Sequence, residues 1–431
     1  METMKARERV LILSATTGYQ LRSFDDAARR LDIDLVFATD RCHQLDDPWR
    51  DRAIAVRFHQ PEASVERIVA AASRAPVHGL IVVGDRPAML GARVAERLGL
   101  PGNPQHAALA CANKFEARVR FQRAGLAVPW FFTAPLLADP ADLARSARVR
   151  YPCVLKPLAL SGSRGVIRAD SPPEFEDAFT RIRALLRRVD VRASRTGLDD
   201  ELLVEGFIAG SEYAVEGVMT EGRLQAFAIF DKPDPLDGPF FEETIYVAPS
   251  TLSGLSQVTV LRTVESAALA LGLWHGPIHA ECRINAEGIV MLEVAPRPIG
   301  GLCSKVLRFA GGLSLEQVLL HHAIGDDISG YLREASASAV MMIPIPARGI
   351  FKKVHGEDAA QRVPGVEEVV ITAKTDQLLE PLPEAGSYLG FIFARAATSA
   401  QAERAVREAH RPLRFTIDPE LRVNAVVEES A

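Results

Sequence analysis

The stretch GPIHAECRINAEGIVMLEVAPRP, residues 276–298, decides how the chain is read. Two apolar runs flank Ala286-Glu287-Gly288, the composition of a turn between antiparallel strands. Each run carries an acid, Glu281 within the first and Glu293 at the end of the second. Two buried carboxylates on adjacent strands repel one another unless they are protonated or bridged by a cation. Magnesium shared with phosphate oxygens is the economical solution. The hairpin ends in Pro296-Arg297-Pro298, where the two rings stiffen the backbone on either side of one arginine.

The 431 residues are enough for two to four domains. With 48% hydrophobic and 24% charged residues, the composition is that of an ordinary globular chain. A net charge of −5 gives no general attraction to nucleic acid or an anionic membrane, so neither is an expected partner. METMKARERV leads directly into an apolar strand without a long hydrophobic leader, and no apolar run approaches the roughly 18 residues of a membrane span. The expected location is cytoplasmic. Cys42, Cys111, Cys153, Cys282 and Cys303 are scattered and never in CxxC spacing, as suits buried reduced thiols.

The first hundred residues alternate between strand and helix patterns. RVLILSA (9–15), LVFAT (35–39) and GLIVVGD (79–85) are short apolar strands, and RSFDDAARRLD (22–32) has apolar residues at helical spacing. This predicts a doubly wound parallel sheet, with ligands at the strand ends, Ser14–Gly18 and Gly84–Arg86. No GxGxxG is present, so a dinucleotide fingerprint is lacking.

In YPCVLKPLALSGSRGVIRAD (151–170), a strand ending in Lys156 leads through Ser161-Gly162-Ser163-Arg164-Gly165 into a second strand. Such a loop can close over phosphates with its N–H groups while the lysine supplies a point charge. ELLVEGFIAGSEYAVEGVM (201–219) is a strand ending near Glu205, a short hinge, and another strand entered through Gly210-Ser211-Glu212.

These motifs, in this order, resemble the ATP-grasp carboxylate–amine ligases, most closely the bacterial L-amino acid ligases. The resemblance runs over nearly the whole chain and includes ANKFEARVRFQRAGLAVP (112–129). It implies an α/β and α+β chain in three parts. These are an N-terminal Rossmann-like domain (1–112), an ATP-grasp domain (113–330) with a lid at about 150–207, and a C-terminal α+β cap (331–431). It also implies ATP as substrate, held by Lys114, Lys156 and the lid residues Ser161, Gly162 and Gly165. Glu205 and the backbone of Phe207 and Ile208 would lie at the base, and Glu212 at the ribose. Glu281 and Glu293 become the ligands of Mg2+ or Mn2+, with Glu293 bridging two ions. Arg297 faces the γ-phosphate and a substrate carboxylate. One departure is Ala295, where many members have a metal-ligating asparagine; a methyl group cannot coordinate.

FDKPDPLDGPFFEETIYVAPSTL (230–252) is a long irregular stretch, a length that in compact domains usually serves function. It resembles the segment lining the acceptor pocket, with Lys232 reaching the ATP phosphates and Glu242 or Glu243 holding an ammonium group. His275, His279 and Glu281 share one phase of their strand. RIRALLRRVDVRASR (181–195) has the pattern of a solvated helix face. Strand patterns at 337–354, 365–374 and 386–396, with a helix at 398–414, make up the C-terminal antiparallel unit.

The implied chemistry joins a small-molecule carboxylate, expected to be an amino acid, to an amine through an acyl phosphate, releasing ADP and phosphate. Lys156, Lys232 and Arg297 are the candidate catalytic residues, and a homodimer is compatible with the family. The alternatives are a carboxylase-type or other ATP-grasp enzyme and a nucleotide-binding protein without turnover.

Overall fold

The computed structural model describes residues 7–15, 20–40 and 53–420. Strands Arg9–Ser14, Asp34–Thr39, Ala53–Ala55 and Gly79–Val83 form an all-parallel N-terminal sheet. Side-chain alternation sorts its first strand between two faces. Val10 and Ile12 pack under the helix Leu21–Leu31, whereas Leu11 and Leu13 join the residues of Pro61–Arg74 and Ala88–Leu98 on the reverse side. Helices therefore cover both faces, as the alternating pattern predicts. Ala53–Ala55 has three residues, too few to show a period, and it escapes sequence reading. Ser14 ends its strand as expected, whereas residues 16–19 of the Ser14–Gly18 strand end, and Cys42, lie outside the described residues.

An eight-stranded antiparallel sheet forms the centre. Its order is Gly288–Ala295, Gly276–Asn285, Ser211–Thr220, Arg223–Asp231, Ile245–Ala248, Ala337–Ile343, Gly390–Ala396 and Val366–Ile371. The last three strands belong to the C-terminal unit read from sequence. Ile245–Ala248 pairs directly with Ala337–Ile343, so one sheet runs across the boundary drawn at 330. One face of the sheet shares a core with the N-terminal domain through Phe230, Tyr246, Met342 and Phe391. Helices Lys114–Arg123 and Gly254–Leu271 cover the other face around Val215, Ile278 and Met291.

The lid has its own core. Strands Phe131–Pro135, Glu201–Gly206, Cys153–Pro157 and Ile167–Ala169 form a four-stranded sheet under the helix Pro172–Leu186. Phe175, Phe179, Ile182 and Leu186 recur at helical spacing and are buried, each contributing roughly 1.5–3 kcal/mol.

One arginine ties these parts together. Asn113 caps the helix Lys114–Arg123, accepting from the Phe115 and Glu116 amides, and one turn after Lys114 the helix presents Arg118. Arg118 is 1% exposed. Its Nε and Nη2 donate to Glu205 at 2.7 and 3.1 Å, and Nη1 donates to the carbonyls of Met291 and Leu292 at 2.9 and 3.0 Å. Glu205 also receives the Lys156 ammonium at 2.5 Å. Burial alone would raise the Glu205 pKa, but Arg118 and Lys156 together hold it down at about 2.

Glu205→Gln removes the counter-charge of both cations in a buried site. The expected cost is about 3–5 kcal/mol of stability, read from urea unfolding of variant and parent, and a loss below about 1 kcal/mol would contradict the assignment.

Candidate active site

A cavity of about 570 Å³ opens between the lid, the central sheet and the N-terminal strand ends. Its walls collect most of the candidate residues: Lys114, Lys156, Ser161, Gly162, Glu205, Phe207, Ile208, Glu212, Glu243, Glu281, Glu293 and Arg297.

The hairpin positions the acids. Glu281 and Glu293 are directly opposed across Gly276–Asn285 and Gly288–Ala295, so both side chains rise from one face. The register then shifts, pairing Cys282 with Met291 and leaving Leu292 as an extra residue that also lines the cavity. Lys114 Nζ lies 3.7 Å from Glu293 and donates to the Leu160 carbonyl at 2.7 Å, joining the hairpin to the entry of the lid loop.

Glu281 belongs to a second cluster beneath the cavity. Lys232 Nζ donates to Glu212 and Glu281 at 2.7 Å each and also to Glu243. Burial disfavours its charge, yet the three carboxylates raise its pKa well above that of a free lysine. His279 Nδ1 lies 3.1 Å from Glu216, with Nε2 3.5 Å from Glu281. Burial would neutralise this imidazole, but hydrogen bonds to the two acids lift its pKa to about 9. Glu243 is pushed to about 7, first by burial and then by the charge of Glu281. Tyr246 Oη donates to Glu243 at 2.8 Å.

The base-sized end is aromatic and cationic. Phe207 and Phe241 stack at 6.3 Å, and Arg283 lies over both rings. Arg283 donates to Glu212 at 2.9 Å and to the Ile208 carbonyl at 2.6 Å, which fixes the hinge backbone. Across the cavity, Arg297 pairs with Asp85 at the end of Gly79–Val83, Nε to Oδ1 2.8 Å. Burial alone would raise the Asp85 pKa, but the Arg297 charge and the hydrogen bonds from Arg297 and Ser161 together hold it below the usual carboxylate range.

Several expectations need correction. Lys232 does not line the cavity; its side chain is 2% exposed, with the ammonium within the carboxylate cage, so it does not reach out as a phosphate ligand would. Glu242 is absent from the wall that Glu243 forms. Gly165 does not line the cavity either: it sits at φ +75°, and a Cβ there would meet Pro157 and Leu185, so it serves the turn. His275 stacks on His322 at 4.3 Å rather than joining His279 and Glu281. Arg181 and Arg188, read as a solvated face, form ion pairs with Glu384 and Glu380. Of the cysteines, Cys153, Cys282 and Cys303 are buried and free, and Cys111 is half-buried and free. Sequence reading missed Arg118 and Arg283, and it marked the Gly84–Arg86 strand end without the pairing of Asp85 to Arg297; for the two missed residues the only local signal was Arg118, one helical turn after Lys114.

Residues 149–306, which hold the lid, hinge and acid hairpin, match the model of the ATP-grasp domain. These residues of the chain form an ATP-grasp domain. Residues 24–102 match the ATP-grasp N-terminal domain and residues 341–418 the L-amino acid ligase C-terminal domain 2. The crystal structure of L-amino acid ligase from Bacillus licheniformis superposes with a TM-score of 0.82 at 26% identity, covering 96% of this chain and all of that one. Alanine–anticapsin ligase of Bacillus amyloliquefaciens is 27% identical over 273 residues, 60% of this chain and 56% of that protein. The chain spans between 56 and 66% of the length of the curated relatives it matches over the longest stretches. N5-carboxyaminoimidazole ribonucleotide synthetase from Thermotoga maritima, at 13% identity and a TM-score of 0.69, shares the fold.

Glu281 and Glu293, opposed across the hairpin, are carboxylates of the kind a divalent cation takes, and Glu281 would have to loosen its Lys232 contact to admit one. Glu212, Glu243 and Glu281 also bring one carboxylate oxygen each within 4.8 Å of one another, but Lys232 already supplies a positive charge to all three. Ala295, opposite His279, adds no ligand.

Because the folded pKa of Glu243 is raised above its free value of 4.5 to about 7, its contribution favours the fold below pH 4.5 and is lost as pH rises through 7. Without divalent ions, the melting temperature is expected to fall between pH 5 and 8, and to fall less in Glu243→Gln. An unchanged slope in that variant would show that Glu243 is already ionised at pH 5.

Proposed function

We propose that the chain is an ATP-dependent ligase that joins an amino acid carboxylate to an amine through an acyl phosphate, releasing ADP and phosphate. The observation that carries this is one cavity lined by Lys114, Lys156 and the opposed acids Glu281 and Glu293 together with the uncharged side chains of Tyr246, Cys303, Met342, Tyr388 and Phe391. Magnesium or manganese held by Glu281 and Glu293 would neutralise phosphate charge and orient the chain of phosphates.

This chain's own groups do the rest. Phe207 and Phe241 take the base between aromatic faces and the hinge backbone. Lys114 and Lys156, with the amides of the Ser161-Gly162-Ser163 loop, hold the phosphates. Arg297, fixed by Asp85 and its flanking prolines, presents its remaining donors to the carboxylate substrate. A carboxylate oxygen attacks the γ-phosphorus and the bond to ADP breaks; the amine nitrogen then attacks the acyl carbon and phosphate leaves, the excess proton passing to solvent. Lys156 and Arg297 offset charge on the transferring group. Lid closure excludes the water that would otherwise hydrolyse the acyl phosphate.

The finer substrate assignment rests on Glu243 and the uncharged wall. Glu243 receives an ammonium group, and the five side chains around it favour an apolar substituent over an acidic one. Bicarbonate, the substrate of a carboxylase-type reaction, would have no use for that wall. Three working units (1–112, 113–330, 331–431) and a homodimer belong to the same proposal.

Phosphate release should require ATP, a divalent ion, an amino acid and an amine together, with the coupled product seen by mass spectrometry. Leucine, methionine or phenylalanine should support it better than aspartate. Glu293→Gln should lower kcat about a hundredfold while ATP affinity changes little. Release that needs only bicarbonate, or near-parental kcat in the variant, would overturn the reading.

A further inference from the structure

The arginine-rich run at 181–195 is not used by the chemistry above, and two of its arginines, Arg181 and Arg188, find partners on a distant part of the chain. Arg181 Nε and Nη2 donate to the two carboxylate oxygens of Glu384 at 2.5 and 2.9 Å. Arg188 makes the same forked contact with Glu380, at 3.2 and 2.9 Å. Arg164, inside the lid loop, donates through Nε to the Glu384 carbonyl at 2.7 Å, and the Gly165 amide donates to the Pro383 carbonyl at 2.8 Å. Two residues further, the backbones nearly touch: a Cβ at Gly386 would sit 2.8 Å from the Gly162 carbonyl oxygen, so only glycine permits the approach. The next residues, Ser387 and Tyr388, line the cavity, as do Ser161, Gly162 and Ser163 from the lid side. Arg181 also lies over the Phe240 ring at 4.9 Å, and Phe240 bridges to Ile167 in the lid sheet.

We propose that residues 380–388 are a latch that fastens the phosphate-covering lid to the wall of the amine pocket, with Arg181 and Glu384 as its positioning residues. This rests on the ligase reading for what the pocket holds, not for the latch itself. The lid has a separate core and is anchored at its base through Glu205 and Arg118, so the far end that carries the 161–165 loop needs a contact of its own to set its closed position. The forked arginine–glutamate pairs suit that task. Arg181 is 44% and Glu384 28% exposed, which keeps each pair weak enough to open for nucleotide entry. Forked geometry makes the closed position specific, because two parallel hydrogen bonds define an orientation where a lysine would not. Since residues 386–388 at the end of the latch line the cavity, closing over the phosphates and setting the amine pocket become a single movement. The acyl phosphate is then covered only when the pocket that consumes it is formed.

The test is a charge exchange: Arg181→Glu, Glu384→Arg, and the double variant. Hydrogen exchange with a non-hydrolysable ATP analogue reports on the latch, and the ratio of phosphate released to amide formed reports on its consequence. Each single variant should speed exchange of the 161–166 and 384–388 amides by about three- to tenfold and raise the phosphate-to-amide ratio. The double variant should restore both, as a direct pair requires. Unchanged exchange in the single variants, or no recovery in the double, overturns the latch. If no substrate pair releases phosphate yet exchange follows the charge exchange, the ligase reading fails and the latch stands. If exchange responds while the ratio stays constant, the proposed coupling to the amine pocket is overturned.

Discussion

The buried Arg118 guanidinium is the constraint on which the rest of the site depends. It holds Glu205 of the hinge strand and, through Glu205, Lys156 of the lid, while its other nitrogen grips two carbonyls of the acid-bearing strand. A guanidinium removed from water must satisfy its charge and its donors together, and here each nitrogen finds a partner. Moving any one of the three attached segments would break a charge-assisted bond in a low-dielectric interior. The helix that carries Lys114, the strand that carries Lys156 and the strand that carries Glu293 are thereby held around one cavity.

A second charge balance lies deeper. Glu212, Glu243 and Glu281 could not be buried together without a cation, and Lys232 supplies one from within the chain. This permanent counter-charge keeps the acid cluster folded whatever the cavity holds. It also divides the acids by role: those bound to Lys232 are partly neutralised, whereas Glu293 stands at the wall beside Lys114. Arg297 is likewise held by Asp85 before any substrate arrives, so its orientation requires no rearrangement on binding.

Features set by neighbouring residues were legible in the sequence. The Ala286-Glu287-Gly288 turn dictates a hairpin, and the hairpin dictates that Glu281 meets Glu293. Strand alternation likewise exposed the parallel N-terminal sheet. What stayed hidden depends on contacts between distant residues. Asp85 and Arg297 are separated by 212 positions, and Arg118 meets Glu205 across 87. Lys232 was read as a phosphate ligand because a sequence shows that a lysine is present but not which way it points. The continuity of the central sheet into the C-terminal strands rests on pairing Ile245–Ala248 with Ala337–Ile343, which no local pattern announces. The same holds for the arginines at 181 and 188, whose helical spacing is that of any solvated face.

The central claim is that phosphate leaves after attachment to the substrate carboxylate, and oxygen transfer tests it most directly. An amino acid labelled with heavy oxygen in its carboxylate is incubated with ATP, magnesium and an amine, and the released phosphate is examined by mass spectrometry. The account predicts one labelled oxygen in each phosphate formed per amide bond. Phosphate that instead carries oxygen from solvent water, with none from the carboxylate, would show simple ATP hydrolysis and contradict the account.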